Sequence, residues 1–395
     1  MGVPRLPAHW QPHRVGLRLQ SFFTALTRRK KRISASALTR LVATSKPFQN
    51  MKIDFSQNSW QKLTPETDFE KKVLAFISEW FSASETVKVQ TSGSTGTPKI
   101  FDIEKEKMRY SAKMTGDILG LQKGDSALLC LPVEYISGKM MVVRALERNL
   151  ILTVKTPSAA PLEDVSEEID FCALSPLQVE NSLQKLHFFQ NIIIGGAAVS
   201  ETLKNKIHSA LKFSEGHIIP KIFETYGMSE TLSHIALKEI FPVPEAFFSV
   251  LPGVEISTDD RNCLQIFAPN LNSELLTTND LVEIKNENQF RFLGRIDHVI
   301  NSGGLKIYPE ELEALVKKIL PQELVFLGIP DETLGQKLVL VIEGEITETQ
   351  KSALNTLNFP TKNHKPKEVI FLQEFPRIPN GKIDRQKLLQ TVSKK

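Results

Sequence analysis

The sequence predicts an α/β protein: a large N-terminal domain with mixed or parallel sheets covered by helices, followed by a β subdomain, and then a small α+β domain at the C-terminal end. Three observations carry this expectation. Continuous apolar runs such as Ser126–Leu131, Phe171–Leu174 and Asn191–Ile194 alternate with stretches of helical periodicity, the pattern of strands buried on both faces by crossover helices. From Leu251 to Phe292 the strand candidates are short and rich in turn residues. Beyond Gly294 the order becomes helix, two strands, helix, strand and terminal helix, within about 100 residues, a size that folds on its own.

Taken in order, Phe69–Phe81 has apolar residues at helical spacing, and Glu104–Leu119 is a second predicted helix. Strand Ser126–Leu131, helix Lys139–Arg148 and strand Leu150–Val154 follow, then strand Phe171–Leu174 with Pro176 opening a helix. Strand Asn191–Ile194 runs into Gly195-Gly196 and a helix from about Glu201, and Lys221–Glu224 is the next strand. In the last domain the predicted elements are helix Pro309–Leu320, strands Leu324–Ile329 and Lys337–Ile342, helix Thr347–Leu357 and strand Val369–Leu372. Thr347 with Gln350 three residues on is a capping-box signal. The chain has 395 residues, with ordinary apolar (41%) and charged (24%) content. No run is long and apolar enough to span a membrane, which takes about 20 residues. Cys130, Cys172 and Cys263 are isolated in apolar surroundings and fit buried thiols of a reducing, cytoplasmic setting, without disulfides or a metal site.

The net charge of +4 is unevenly spread. Residues 1–50 hold ten Lys/Arg and no Asp/Glu, so the remainder carries −6. This basic arm, densest at Arg28–Arg32, reads as sequence upstream of a natural start at Met51, a targeting segment, or a nucleic-acid or membrane-surface tail. The expected chemistry lies downstream of it.

Thr91-Ser92-Gly93-Ser94-Thr95-Gly96-Thr97-Pro98-Lys99 has the composition of a phosphate cradle. Glycines let backbone N–H groups converge on an anion, hydroxyls add donors, and Lys99 adds a point charge. The spacing is not that of G-x-x-x-x-G-K-[ST]. A flexible linker would not end in Pro-Lys between apolar runs. A second cluster, Tyr226-Gly227-Met228-Ser229-Glu230-Thr231, follows a predicted strand, where an aromatic, a carboxylate and a hydroxyl suit a ligand site at the carboxyl edge of a sheet.

The Thr91–Lys99 stretch resembles the signature loop of the adenylate-forming superfamily of acyl- and aryl-CoA synthetases, adenylation domains and luciferases, and the partner motifs follow in family order up to Arg385. The resemblance implies that Tyr226 stacks on adenine beside Gly227, that Glu230 holds Mg²⁺, and that Thr231 contacts the α-phosphate. Gly195, Gly196 and Ala197 resemble the loop against the adenine. Thr278-Asn279-Asp280 resembles the Thr-Gly-Asp element whose aspartate binds ribose. Asn here replaces Gly at an expected turn, where it tolerates positive φ. Gly294–Glu313 is the longest match: Arg295 resembles the second ribose ligand and Asp297 the hinge of a mobile small domain. Ser302, Gly303 and Gly304 resemble the lining of the thiol's approach, with Lys306 meeting a CoA phosphate. Gly328–Asp331 resembles a structural turn. Pro376–Arg385 resembles the motif of the catalytic lysine, Lys382, placed on a turn by Asn380-Gly381.

The domains implied are a basic arm at 1–50, a large ATP- and acid-binding domain at 51–294 and the small mobile domain at 295–395. The implied reaction joins a carboxylic acid to ATP, and CoA then displaces AMP. Tyr135 takes a place where the family often has His. Counting from Met51, only 40 residues precede Thr91, and this compactness resembles the short aryl-acid ligases whose substrate carries a second carboxylate. Ser137, Lys139, Gln178, Ser233 and His234 are candidates to meet that group, with Lys139 alternatively a helix-surface lysine. The expected partners are a small-molecule acid, ATP and CoA, with no nucleic acid and no stable membrane insertion; an oligomer is left open. The competing readings are another short aryl- or acyl-CoA ligase, a stand-alone adenylation enzyme loading a carrier protein, and a nucleotide-binding pseudoenzyme.

Overall fold

The computed structural model describes residues 50–57, 60–90, 100–212, 218–377 and 383–393. The basic arm, the Thr91–Lys99 loop and the segment holding Asn380, Gly381 and Lys382 therefore lie outside the described residues.

Strand β1 (Met51–Asp54) precedes helix α1 (Asp68–Trp80). Thr67 and Glu70 close a capping box at the start of α1, and Glu70 also accepts the Met51 N–H, joining strand to helix. A two-stranded ladder, β2 (Thr86–Gln90) and β3 (Ile100–Glu104), pairs Gln90 with Ile100, so the chain of 91–99 connects its ends. Next come α2 (Lys105–Leu119), β4 (Ser126–Leu129), α3 (Ile136–Arg148), β5 (Ile151–Val154), β6 (Ile169–Leu174), α4 (Pro176–Glu180), β7 (Phe189–Ile194), α5 (Glu201–Leu211) and β8 (Lys221–Gly227). Strand β9 (His234–Phe241) turns back on β8, and β10 (Phe248–Val250), β11 (Glu255–Thr258), β12 (Cys263–Ala268), β13 (Asn272–Asn286) and β14 (Gln289–Arg295) follow.

These strands, apart from β2 and β3, form one twelve-stranded sheet in the order β1-β5-β4-β6-β7-β8-β9-β10-β14-β13-β12-β11. Its centre, β5 to β8, is parallel; everything from β9 outward is antiparallel. Alternate side chains serve opposite faces. Leu129, Phe171 and Ala173 pack with Phe76, Met108 and Met140 of α1, α2 and α3. Leu128, Cys172 and Leu174 pack with Val179, Leu203 and Ile207 of α4 and α5. The expected β-rich part is β10–β14, an antiparallel continuation of the large sheet, and the expected short strands are corrected at β13, which runs for 15 residues. Gly and Asn punctuation marked the turns but not the sheet they joined.

The remaining elements are β15 (Ile300–Ser302), β16 (Leu305–Ile307), α6 (Pro309–Lys317), β17 (Leu324–Asp331), β18 (Gly335–Glu343), α7 (Glu348–Thr356), β19 (Glu368–Leu372) and α8 (Arg385–Val392). They build a separate five-stranded sheet. Helices α6 and α7 cover one face through Leu312, Val316 and Leu354, and α8 covers the other through Leu388 and Val392. The Thr347–Gln350 capping box forms as expected. Residues Gly328–Asp331 lie within β17, not in a turn; the turn begins at Asp331, whose carboxylate accepts the Thr333 and Leu334 N–H groups. Cys130, Cys172 and Cys263 are free, buried thiols. No helix among the described residues is long and apolar enough to cross a membrane.

Candidate active site

Three segments meet where the parallel strands end, the edge at which open α/β sheets bind ligands. The first follows β7: Gly195 is half-buried, Gly196, Ala197 and Ala198 are exposed, and Val199 is buried again. The second is the connection from β8 to β9. Strand β8 runs on through Tyr226 and Gly227, three residues past the predicted end. The third is a bulge in β13. Between the pairs Cys263↔Leu281 and Gln265↔Thr277 that strand spends four residues against two on β12, and Thr278-Asn279-Asp280 occupy the excess. The turn expected here is corrected to a bulge within a strand, and Asn279 needs no positive φ: among the described residues the non-glycine ones with positive φ are Asn149, Leu232 and Asn262.

The bulge aims Asp280 at Tyr226. Tyr226 Oη donates to Asp280 Oδ2 at 2.5 Å, and its ring sits among Phe248, Phe290 and Phe292. Burial, helped by the Asp280 charge, pushes the phenol far above its ordinary range, so it remains a donor. Arg295, the cross-strand partner of Asp280, donates to Asp280 Oδ1 at 3.3 Å. It grips Asp297 with two hydrogen bonds of 2.9 and 2.8 Å. That bidentate pair holds the Asp297 carboxyl below its usual range. The predicted aromatic, both predicted ribose ligands and the predicted hinge thus form one continuous network.

The β8–β9 connection is strained. Leu232 adopts φ +68° and is buried, and Ser233 N–H closes a three-residue turn on Thr231 O at 2.7 Å. Thr231 Oγ1 accepts the Met228 N–H and lies within 3.1 Å of the carbonyls of Met228 and Ser233. Its hydroxyl therefore holds this turn together. Glu230 projects into solvent; its carboxylate has no hydrogen bond or ion pair among the described residues, while its carbonyl accepts from Asn272. A lone exposed carboxylate fits Mg²⁺ shared with phosphate oxygens and water. No cluster of three metal-ligating side chains occurs among the described residues.

The candidates for the acid separate clearly. Tyr135 is one-third exposed, and its backbone bridges Gln90, the residue before the Thr91 loop; Ser137 is exposed in the first turn of α3. Lys139 is buried, so the helix-surface alternative is corrected. Its ammonium lies 4.1 Å from the Phe76 ring centroid and 3.9 Å from Glu79, and burial lowers its pKa. Gln178 is spent on its own surroundings, donating to the Cys130 and Ser158 carbonyls and accepting from Ser175. His234 is buried and shares a 3.1 Å hydrogen bond with Thr115; burial and the nearby Arg144 push its pKa well down, so it is neutral.

Arg144 is the residue sequence reading missed. It sits on α3 and is 3% exposed. One nitrogen donates to Ser233 Oγ at 2.8 Å and Nε has no partner. No carboxylate pairs with it among the described residues, and burial pushes its pKa down to about 9. A buried cation without a counter-ion is costly, so this position calls for an anion from outside the chain.

In the second sheet, Ser302 is buried and pairs with Leu305 across Gly303-Gly304, whose φ values of +58° and +81° make a two-residue hairpin turn. Lys306 is exposed in β16. The ends of the Lys382 segment are well fixed. Arg377 pairs with Ile383 and bonds Glu343 at 2.6 Å, Asp384 N–H donates to Pro376 O at 2.8 Å, and Arg385 bonds the half-buried Glu313 at 2.6 Å.

The sequence profile of the AMP-binding enzyme family matches residues 26–278. Among curated proteins, the chain is 28% identical over 326 residues to a 2-succinylbenzoate–CoA ligase of Lactococcus lactis, covering 76% of this chain and 70% of that one. It is 27% identical over 362 residues to the enzyme of the same name in Listeria monocytogenes, covering 83% and 74%. Among solved structures, an AMP-forming acyl-CoA synthetase/AMP-acid ligase II-like protein from Dyadobacter fermentans is 32% identical with a TM-score of 0.58, over 87% of this chain and 99% of that one. The o-succinylbenzoate–CoA synthetase of Bacillus subtilis, solved with ATP and magnesium, shares the fold at 21% identity and a TM-score of 0.63, over 76% and 69%.

Proposed function

We infer that this chain, which belongs to the AMP-binding enzyme family, is an AMP-forming acid–CoA ligase that activates 2-succinylbenzoate with ATP and passes the acyl group to coenzyme A. The names of the curated relatives support the reaction class. One observation on this chain carries the choice of acid: the buried Arg144, bonded to Ser233 and short of a counter-ion. A substrate with a second carboxylate supplies that anion, and a monoacid does not. The acid places the enzyme in menaquinone biosynthesis, a cytoplasmic role.

The difficulty of the first step is charge, since an anionic carboxylate must reach an anionic α-phosphate. Tyr226, Gly227 and the Gly195–Ala197 loop take the adenine, and Asp280 and Arg295 take the ribose hydroxyls. Lys99, with the Thr91–Thr97 donors, and Lys382 neutralise charge on the phosphoryl oxygens and the departing pyrophosphate. Glu230 would hold Mg²⁺, whose bound form supplies further charge neutralisation on the phosphates. Thr231 acts through the turn it holds. In the second step the thiol displaces AMP, which requires Lys382 to withdraw. Rotation of the second sheet about Asp297 accomplishes this and brings Ser302, Gly303, Gly304 and Lys306 to the CoA path.

The test is acid-dependent pyrophosphate release over 2-succinylbenzoate, benzoate, fatty acids and amino acids, with CoA as acceptor. Release with the keto-diacid and accumulation of its CoA thioester are expected. Turnover with amino acids, or thioester formation only on a carrier protein, overturns the assignment.

A further inference from the structure

We propose that Glu224 is a positioning residue of the nucleotide site, fixing the loop after β7 against the strand that carries Tyr226; this rests on the ATP-binding reading above. Glu224 lies on β8 and is 5% exposed. Its Oε1 accepts the Val199 N–H at 2.9 Å, the bond that returns the exposed Gly196–Ala198 tip to the body of the protein. One residue on, Thr225 Oγ1 donates to Ile194 O at 3.1 Å, and a Cβ on Gly195 would lie 2.9 Å from that hydroxyl. Neighbouring side chains of β8 therefore hold both ends of the loop.

The carboxylate is itself held. Its Oε2 lies 2.8 Å from Lys238 Nζ and 3.6 Å from Lys204 Nζ, ion pairs without hydrogen-bond geometry. Lys238 is the cross-strand partner of Glu224 on β9, and its ammonium sits 4.2 Å from the centroid of Phe248, a ring packed against Tyr226. A chain of contacts thus runs from the loop through Glu224, Lys238 and Phe248 to Tyr226 and Asp280. Two sides of one ligand crevice are set in register by a single buried carboxylate.

The prediction separates reach from charge. Glu224→Asp keeps the charge for Lys238 and Lys204 but is one methylene too short to meet Val199. Glu224→Gln keeps the reach and an acceptor but gives up the charge. Measured by calorimetric titration of ATP without acid, Glu224→Asp raises the ATP Kd about tenfold and Glu224→Gln changes it less than about threefold, the difference expected for a lost buried hydrogen bond. The KM for 2-succinylbenzoate at saturating ATP stays within about twofold of wild type in both. The reverse order, equal ATP affinities, or a parallel rise in the acid KM overturns the proposal. If wild-type protein itself fails to bind ATP, the functional reading falls as well; if it binds and the variants match it, only this inference falls.

Discussion

Tyr226 Oη and Asp280 Oδ2 lie 2.5 Å apart although 54 residues separate them in the chain. The contact exists because β8 is extended to its last residue while β13 bulges toward it. The phenol fixes one carboxylate oxygen and Arg295 the other, so the Asp280 carboxylate is held in one orientation, as the proposed ribose contact requires.

Removing the phenol hydroxyl isolates this effect. Tyr226→Phe keeps the ring among its phenylalanines and deletes a hydrogen bond to a carboxylate, worth about 1.5–3 kcal/mol. The ATP Kd is expected to rise about tenfold or more on the same arithmetic, with little change in the acid KM. An unchanged ATP Kd would show that Arg295 suffices to orient Asp280.

The proposed role of Arg144 is to receive the second carboxylate of the acid. Arg144→Met fills similar volume without the charge, so it should raise the KM for 2-succinylbenzoate at least about a hundredfold, as loss of a charge-assisted pair implies. For 4-oxo-4-phenylbutanoate, which keeps the aliphatic carboxylate to be activated and lacks the one on the ring, wild type and variant should perform alike. Equal losses on both acids would mean that Arg144 supports only the packing of α3.

On the proposed mechanism Lys382 serves the first half-reaction and not the second. Lys382→Ala should abolish adenylate formation, seen as loss of pyrophosphate release, yet convert supplied acyl-adenylate to thioester at close to the wild-type rate. Loss of both activities in equal measure would argue against withdrawal of this lysine between steps.

His234 sets an acid limit on stability. Its folded pKa is depressed below the ordinary imidazole value of 6.5 by burial and by Arg144. Above the unfolded value the neutral ring is bound without penalty. As pH falls below it the unfolded chain takes up a proton that the folded chain refuses, so stability is lost toward the folded pKa. The slope from this group is at most about 1.4 kcal/mol per pH unit. His234→Gln should flatten the fall in Tm between roughly pH 6.5 and 5; an identical slope would assign it to other groups.

Much of the fold was legible because its signals are local. The capping residue Thr347 acts within three residues, and the buried runs of β4, β6 and β7 declare themselves by composition. The network around Asp280 was legible only as separate motifs, since nothing local links Tyr226, Asp280 and Arg295. The bulge depends on how β13 lies against β12, a register no single strand encodes. Arg144 stayed hidden for a related reason. Between Val143 and Ala145 it reads as the polar side of an amphipathic helix, and only the approach of β9, bringing Ser233 and His234, turns that side inward. Glu224 likewise reads as an ordinary strand residue, because its partners come from the loop after β7, from α5 and from β9.

Strand β14 has a consequence for motion. It stays laddered to β13 up to Arg295, and β15 begins at Ile300. Any reorientation of the second sheet must therefore be absorbed by the backbone torsions of the four residues between them. With so short a pivot, a single crosslink or proline introduced there should arrest the enzyme in one stage of its cycle while leaving both sheets folded.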